Sequence, residues 1–128
     1  VNRISERYRR IAREFAQRAV AELGDEIRAI VLYGSVARGR ARGDSDTDLL
    51  IVARDPEAVR QKIVEIEEDT DARHGYTSFL VSSYVTLQEL RRLVESGSPH
   101  AKEVLEEGIV LYDDGSVTEL RHQVAAGR

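Results

Sequence analysis

The 128-residue chain has no cysteine, methionine or tryptophan, two prolines, and two lysines against seventeen arginines; aromatic residues make up 5% of it. Without cysteine there is no disulfide framework, which leaves the compartment open in itself. No apolar run approaches a membrane span and no signal-peptide pattern is present, so the cytoplasm is the expected location and no membrane is expected as a partner. The arginine excess, with 33% charged residues, fits either a hot or a GC-rich source, and composition does not separate the two. At 41% hydrophobic residues, the length suits a single domain over 1–128 with a substantial core.

The net charge of −4 hides a segregation. Residues 1–43 carry ten arginines and five acids, whereas residues 44–128 carry nine basic and eighteen acidic side chains. Nonspecific binding of nucleic acid needs several convergent cationic contacts and is not expected of the molecule as a whole. The basic first third faces either an acidic partner or, more commonly for such a stretch, only solvent.

What the chain does have is an apolar run Ile30-Val31-Leu32-Tyr33 ending in Gly34-Ser35, followed ten residues later by Asp46-Thr47-Asp48 opening a second run, Leu49-Leu50-Ile51-Val52. Strand side chains alternate faces, so Asp46 and Asp48 project the same way with Cα atoms roughly 6.5–7 Å apart. Two carboxylates aimed at one point repel each other unless a cation lies between them. With no cysteine in the chain and no histidine close by, only oxygen ligands are on offer, which suits Mg²⁺ or Mn²⁺ rather than Zn²⁺. Mg²⁺ held by one or two carboxylates takes its other ligands from phosphates and water. Gly34 lets the backbone turn sharply and approach a phosphate, and Ser35 offers a hydroxyl and an N–H at an expected helix start. The spacer adds Arg38, Arg40 and Arg42 with Gly39 and Gly43, a flexible basic stretch placed to fold over a polyanion. Arg38, about one helical turn beyond Ser35, is the expected phosphate contact, whereas Arg40 and Arg42 are equally well read as solvated. The pattern as a whole points to a nucleoside triphosphate with its magnesium.

Three other motifs fail on their residues. Gly34-x-x-x-x-Gly39-Arg40-Ala41 has Arg and Ala where a P-loop needs Lys and Ser/Thr. Asp44-x-Asp46-x-Asp48 opens like an EF-hand loop, but Leu49 replaces its glycine and Asp55 its bidentate glutamate. A dehalogenase-type Asp-x-Asp would follow an apolar strand, and here Gly43-Asp44-Ser45 precedes it.

Gly34-Ser35-Val36-Ala37-Arg38-Gly39, then Ser45-Asp46-Thr47-Asp48-Leu49-Leu50, resembles the DNA polymerase β nucleotidyltransferase superfamily and, within it, the single-domain minimal nucleotidyltransferases. Four specified residues at this spacing arise by accident in such a chain on the order of once in a thousand. The resemblance is strongest over residues 27–53 and looser from Gly97 to Tyr112. It implies a mixed β-sheet with helices packed against it and a site at the sheet's open edge on the first two strands. It also implies transfer of a nucleoside monophosphate, AMP from ATP, to a hydroxyl with loss of pyrophosphate. Asp46 and Asp48 would hold Mg²⁺ or Mn²⁺, and Gly34, Ser35 and Arg38 the phosphates. Relatives of this size pair with a small helical HEPN protein as antitoxin and toxin, the nucleotidyltransferase modifying a partner tyrosine. The chain is short for an acceptor-binding domain of its own, so a partner is expected to supply that part; homo-oligomerisation stays open.

The periodicities predict an α/β sandwich. Ile4, Tyr8, Ile11, Phe15, Ala19 and Leu23 mark a first helix stopped at Gly24. Strands are expected at Ile27–Tyr33, Thr47–Ala53, Tyr76–Val85 and Ile109–Tyr112. Further helices are expected from Asp55-Pro56 to about Glu68, from the Thr86-x-x-Glu89 capping box, from Ser98-Pro99 to Gly108, and from a Ser116-x-x-Glu119 cap.

One departure bears on chemistry. The superfamily's active members place a third carboxylate on the third strand, as metal ligand and base, and residues 75–83 contain none. Ser78 or Thr77 is expected in that place, with Asp69 and Asp71 read as a charged helix end and loop and His74 as a solvated loop residue. The gap keeps a second class of function open: a nucleotide-binding module that neutralises its partner by occlusion with little or no catalysis. Transfer to a drug would need a C-terminal domain that this stretch of sequence lacks.

Overall fold

The computed structural model describes residues 1–127. Its elements are α1 (Arg3–Leu23), a 3₁₀ turn (Gly24–Glu26), β1 (Ile27–Tyr33), β2 (Thr47–Ala53), α2 (Pro56–Arg73), β3 (Leu80–Val85), α3 (Leu87–Glu95), α4 (Pro99–Glu107), β4 (Ile109–Asp113) and α5 (Ser116–Ala126). The sheet runs β3-β2-β1-β4. β1 is antiparallel to both neighbours and β2 is parallel to β3, which makes the sheet mixed as expected.

Helices cover both faces, and this is why the two central strands read as unbroken apolar runs. On one face α1 and α2 set Ile11, Phe15, Val59 and Ile63 against Ile30, Leu32, Leu49 and Ile51. On the other, α3, α4 and α5 set Leu90, Val104, Val117 and Leu120 against Ala29, Val31, Leu50 and Val52. Ile27 and Ala29 belong to opposite cores although they are two residues apart, because the β1–β2 register slips between them.

Several local expectations are corrected. β3 begins at Leu80 rather than Tyr76: Tyr76 and Phe79 have φ of 57° and 40°, a left-handed backbone that no strand accommodates. α2 continues past Glu68 to Arg73, since Thr70 and Asp71 still face the interior. Its Pro56 sits in the first turn as expected, but Asp55 makes no side-chain cap bond. The Thr86–Glu89 capping box and the Ser98 cap are present. Ser116 is the first residue of α5 rather than its cap; the carboxylates of Asp113 and Asp114 accept from the backbone N–H groups of residues 115–118 instead. Burial alone would raise Asp113, yet the bonds from Thr118, Gly115 and Val117 hold its carboxyl below the ordinary range.

Candidate active site

The Gly–Ser turn leaves β1 at Tyr33, which stands opposite Asp48 in the register. Gly34 therefore lies against the Asp48 side chain. A Cβ on Gly34 would sit 2.5 Å from Asp48 Oδ2, and the residue has φ +80°, so glycine is required twice over. The two halves of the sequence motif are in contact because the strands that carry them are antiparallel neighbours.

The expected helix after Ser35 is a single turn. Arg38 N donates to Gly34 O at 3.0 Å, Gly39 N to Val36 O at 3.2 Å and Arg40 N to Ser35 O at 2.9 Å. The last two bonds, with Gly39 at φ +77°, form a Schellman closure. The N–H groups of Ser35 and Val36 open that turn and find no backbone carbonyl among the described residues. Nor is the spacer loose. Arg9 donates to Val36 O and Ala37 O, Asn2 to Ala41 O, and Tyr8 Oη to Gly43 O, while Ser5 Oγ accepts from Ala41 N. The start of α1 thus clamps the turn, and the expected flexible loop is a fixed one.

Asp46 is exposed just before β2, and Asp48, inside it, is half-buried. Alternation puts Asp48 on the same face as Leu50 and Val52, towards α3–α5. Burial raises the Asp48 carboxyl above its ordinary value, the charge of Asp46 raises it further, and His100 pulls the other way. A half-buried carboxylate beside a second one fits a divalent cation. Among the described residues no three His, Cys, Asp or Glu side chains gather as a cage, so a cation here would need its remaining ligands from phosphates and water.

His100, at the start of α4, packs edge-on against the Tyr33 ring at 5.4 Å between centroids. Sequence reasoning found the helix start at Ser98-Pro99 but not that it faces this site; that depends on how α4 crosses the sheet. Arg38 turns towards the same helix, its Nη2 on Glu103 and its Nε 3.0 Å from Glu107. With Arg40 and Glu107 it lines a cleft of ≈ 450 Å³ beside the Gly–Ser turn. Arg38 is held by these carboxylates, so a phosphate would have to displace them. Arg40 and Arg42 are exposed.

The third-strand residues lie elsewhere than expected. Ser78 is fully buried and donates to Asp71 Oδ1 at 3.0 Å, and Thr77 donates to His74 O at 2.9 Å. The residue in register with Asp48 is Val81. Asp71 is 7% exposed and ties the loop to β3, and burial lifts its carboxyl against the Ser78 and Leu80 hydrogen bonds. Asp69 pairs with Arg18 and Arg73, and His74 with Glu14. These groups are structural, and none of them is drawn to the Asp46–Asp48 pair.

The profile of the nucleotidyltransferase domain matches residues 9–111, from the middle of α1 to β4. The chain belongs to the nucleotidyltransferase-domain family. Over a 41-residue segment it is 46% identical to the protein adenylyltransferase candidate MJ1305 of Methanocaldococcus jannaschii, a match that spans 32% of this chain and 28% of that protein. Among solved structures, the nucleotidyltransferase fold seen here is similar to that of a toxin–antitoxin with AMP-PNP, with TM-score 0.56 and 13% identity over 90% of this chain and 85% of the other. It is also similar to a double Asp-to-Glu mutant of the toxin–antitoxin MntA-HpeT, with TM-score 0.55 and 12% identity over 90% and 84%. At such identities the likeness is one of fold.

Proposed function

We propose that this nucleotidyltransferase domain transfers AMP from ATP, with Mg²⁺ or Mn²⁺, to a hydroxyl of a protein partner, a tyrosine of a small helical HEPN protein in a toxin–antitoxin pair. The observation that supports the reading is the contact of Gly34 with Asp48, which brings the open N–H groups of the turn beside a candidate metal-binding carboxylate at one end of the central strand pair. The adenylyltransferase resemblance of MJ1305 and the AMP-PNP bound in a complex of the same fold support ATP as donor.

Asp46 and Asp48 would hold the cation, which when bound neutralises charge on the phosphates as the displacement proceeds. Gly34, Ser35 and the N–H groups of the turn hold the β- and γ-phosphates. Arg38 joins them on leaving Glu103 and Glu107. The acceptor oxygen forms its bond to the α-phosphorus while the bond from that phosphorus to the bridging oxygen breaks, and the electron pair leaves with pyrophosphate. The hydroxyl proton passes to water, because Val81, not a carboxylate, stands beside Asp48 on β3. Transfer is accordingly slow.

Val81 also favours a second reading, in which the domain binds nucleotide and neutralises its partner by occupying it. Co-expression with the helical partner, followed by incubation with Mg²⁺ and ATP radiolabelled at the α-phosphate, separates the two. Label on a partner tyrosine that disappears with Asp48→Asn supports transfer; nucleotide binding with no label on any protein supports the module.

A further inference from the structure

Resting on that reading, the sheet order gives the two sides of the carboxylates different occupants. The Gly34–Ser35 turn follows β1 on one side of Asp46 and Asp48, and β3 lies on the other. In an in-line displacement the attacking oxygen enters opposite the leaving pyrophosphate. With the phosphates at the Gly–Ser turn, the acceptor enters over the start of β3.

What stands there is apolar and exposed. Val81 is 44% exposed, Phe79 49% and Tyr76 57%. Three of the seven large hydrophobic side chains exposed among the described residues fall within this one short segment. The segment is also held in place against backbone preference. Tyr76 and Phe79 are the two non-glycine residues at positive φ among those described, a conformation that aromatic L-residues adopt only where the surroundings enforce it. The buried Asp71 does so: its carboxylate accepts from Ser78 Oγ and from Leu80 N, and its carbonyl accepts from Tyr76 N at 2.8 Å. Phe79 O accepts from Thr47 N at 3.1 Å, which fastens the loop to the residue between the two site carboxylates.

Charge narrows the occupant. Residues 75–85 carry no basic or acidic side chain, and β2 beside them brings Asp48, with Asp44 and Asp46 just ahead of the strand. A nucleic-acid 3′ end would meet these carboxylates as it approached the site, whereas a neutral protein surface loses nothing by this field. The arginine-rich helix α1 packs on the opposite face of the sheet from Asp48, where its Arg7 and Arg10 line a cleft with Glu14 and His74. We propose that Tyr76, Phe79 and Val81 are the acceptor-docking surface, and that the acceptor hydroxyl is presented on a neutral, apolar stretch of a protein.

An NMR titration of the ¹⁵N-labelled chain with Mg²⁺–AMP-PNP tests this. One arm adds the acetylated, amidated peptide Leu-Tyr-Leu, and the other adds a short single-stranded RNA with a free 3′-hydroxyl. The peptide shifts the amide signals of residues 76–82, and the RNA does not. Tyr76→Asn and Phe79→Asn remove a ring while keeping a residue that tolerates the left-handed backbone. Each weakens peptide binding by about tenfold and leaves AMP-PNP affinity within about twofold. RNA shifting the same amides, a peptide that leaves them unmoved, or unchanged peptide affinity in the Phe79 variant overturns the proposal. Failure of the nucleotide reading shows separately, as AMP-PNP that leaves the Gly34 and Ser35 signals in place.

Discussion

The Asp48 carboxylate rests on the bare Cα of Gly34, with Oδ2 where a methyl group would come within 2.5 Å. Gly34→Ala meets two costs: a left-handed backbone worth roughly 1–2 kcal/mol, and rotation of the Asp48 carboxylate out of its place. The second is cheap for stability and expensive for function. We expect a modest drop in melting temperature together with a loss of Mg²⁺–ATP affinity of at least about tenfold, read by thermal denaturation and calorimetry on the same sample. Intact affinity would separate Asp48 from the Gly–Ser turn.

Arg38 lies between two roles. Its pairs with Glu103 and Glu107 are solvent-exposed and of the kind that contributes about 0–1 kcal/mol, whereas a charge-assisted phosphate contact contributes roughly 1.5–3 kcal/mol. Arg38→Ala is expected to weaken ATP binding by about tenfold, and Arg42→Ala far less and in a more salt-sensitive way. If the glutamates compete with phosphate, the double variant Glu103→Gln, Glu107→Gln binds ATP more tightly than wild type. Equal, fully screened losses at Arg38 and Arg42 would strike Arg38 from the site.

The strand pairing moves the question of a third carboxylate from Ser78 to Val81. Val81→Asp places a carboxylate in register with Asp48 and is expected to raise Mg²⁺-dependent ATP affinity. Ser78→Asp instead sets a charge against the buried Asp71 and is expected to destabilise the fold by several kcal/mol. Melting curves and metal titrations of the two variants distinguish them directly.

The motif was legible in the sequence because its chemistry depends on short-range order. Gly34-Ser35 at a strand end, and Asp46 and Asp48 at strand spacing, need only local geometry to be read. The four strands and the caps at Thr86 and Ser98 followed from periodicity and from hydrogen-bonding residues at fixed offsets. What was not legible depends on tertiary partners. Nothing local tells Tyr76 and Phe79 to leave the strand pattern; Asp71, at the end of α2, enforces it. The clamp of α1 on the spacer joins residues more than 25 positions apart, Arg9 to Val36 among them, and His100 reaches the site only through the crossing of α4. The side chain beside Asp48 on β3 was misread because a shortened strand shifts the register that names it.

Stability should fall as pH rises through neutrality. Burial pushes Glu67 up to about 7 from its ordinary 4.5, opposed by the 2.6 Å bond from Ser82 and reinforced by the charge of Asp71. Between those values the folded chain holds a proton that the unfolded chain has released, so the contribution is complete below the lower value and lost as pH passes the upper. Glu67→Gln keeps a hydrogen-bonding partner for Ser82 and is expected to flatten the fall in melting temperature between about pH 5 and about pH 8. An unchanged slope would place the titration elsewhere.

The central claim, that Asp46 and Asp48 hold a divalent cation for a nucleotide seated on the Gly34–Ser35 turn, is tested most directly by calorimetric titration of ATP with and without Mg²⁺, into wild type and Asp48→Asn. The account predicts binding that requires Mg²⁺ in wild type and is weakened at least about tenfold in the variant. It also predicts an unliganded variant that melts no lower than wild type, because the carboxylate it loses is one that burial and Asp46 already disfavour. Affinity independent of Mg²⁺, or equal in the two proteins, would contradict it.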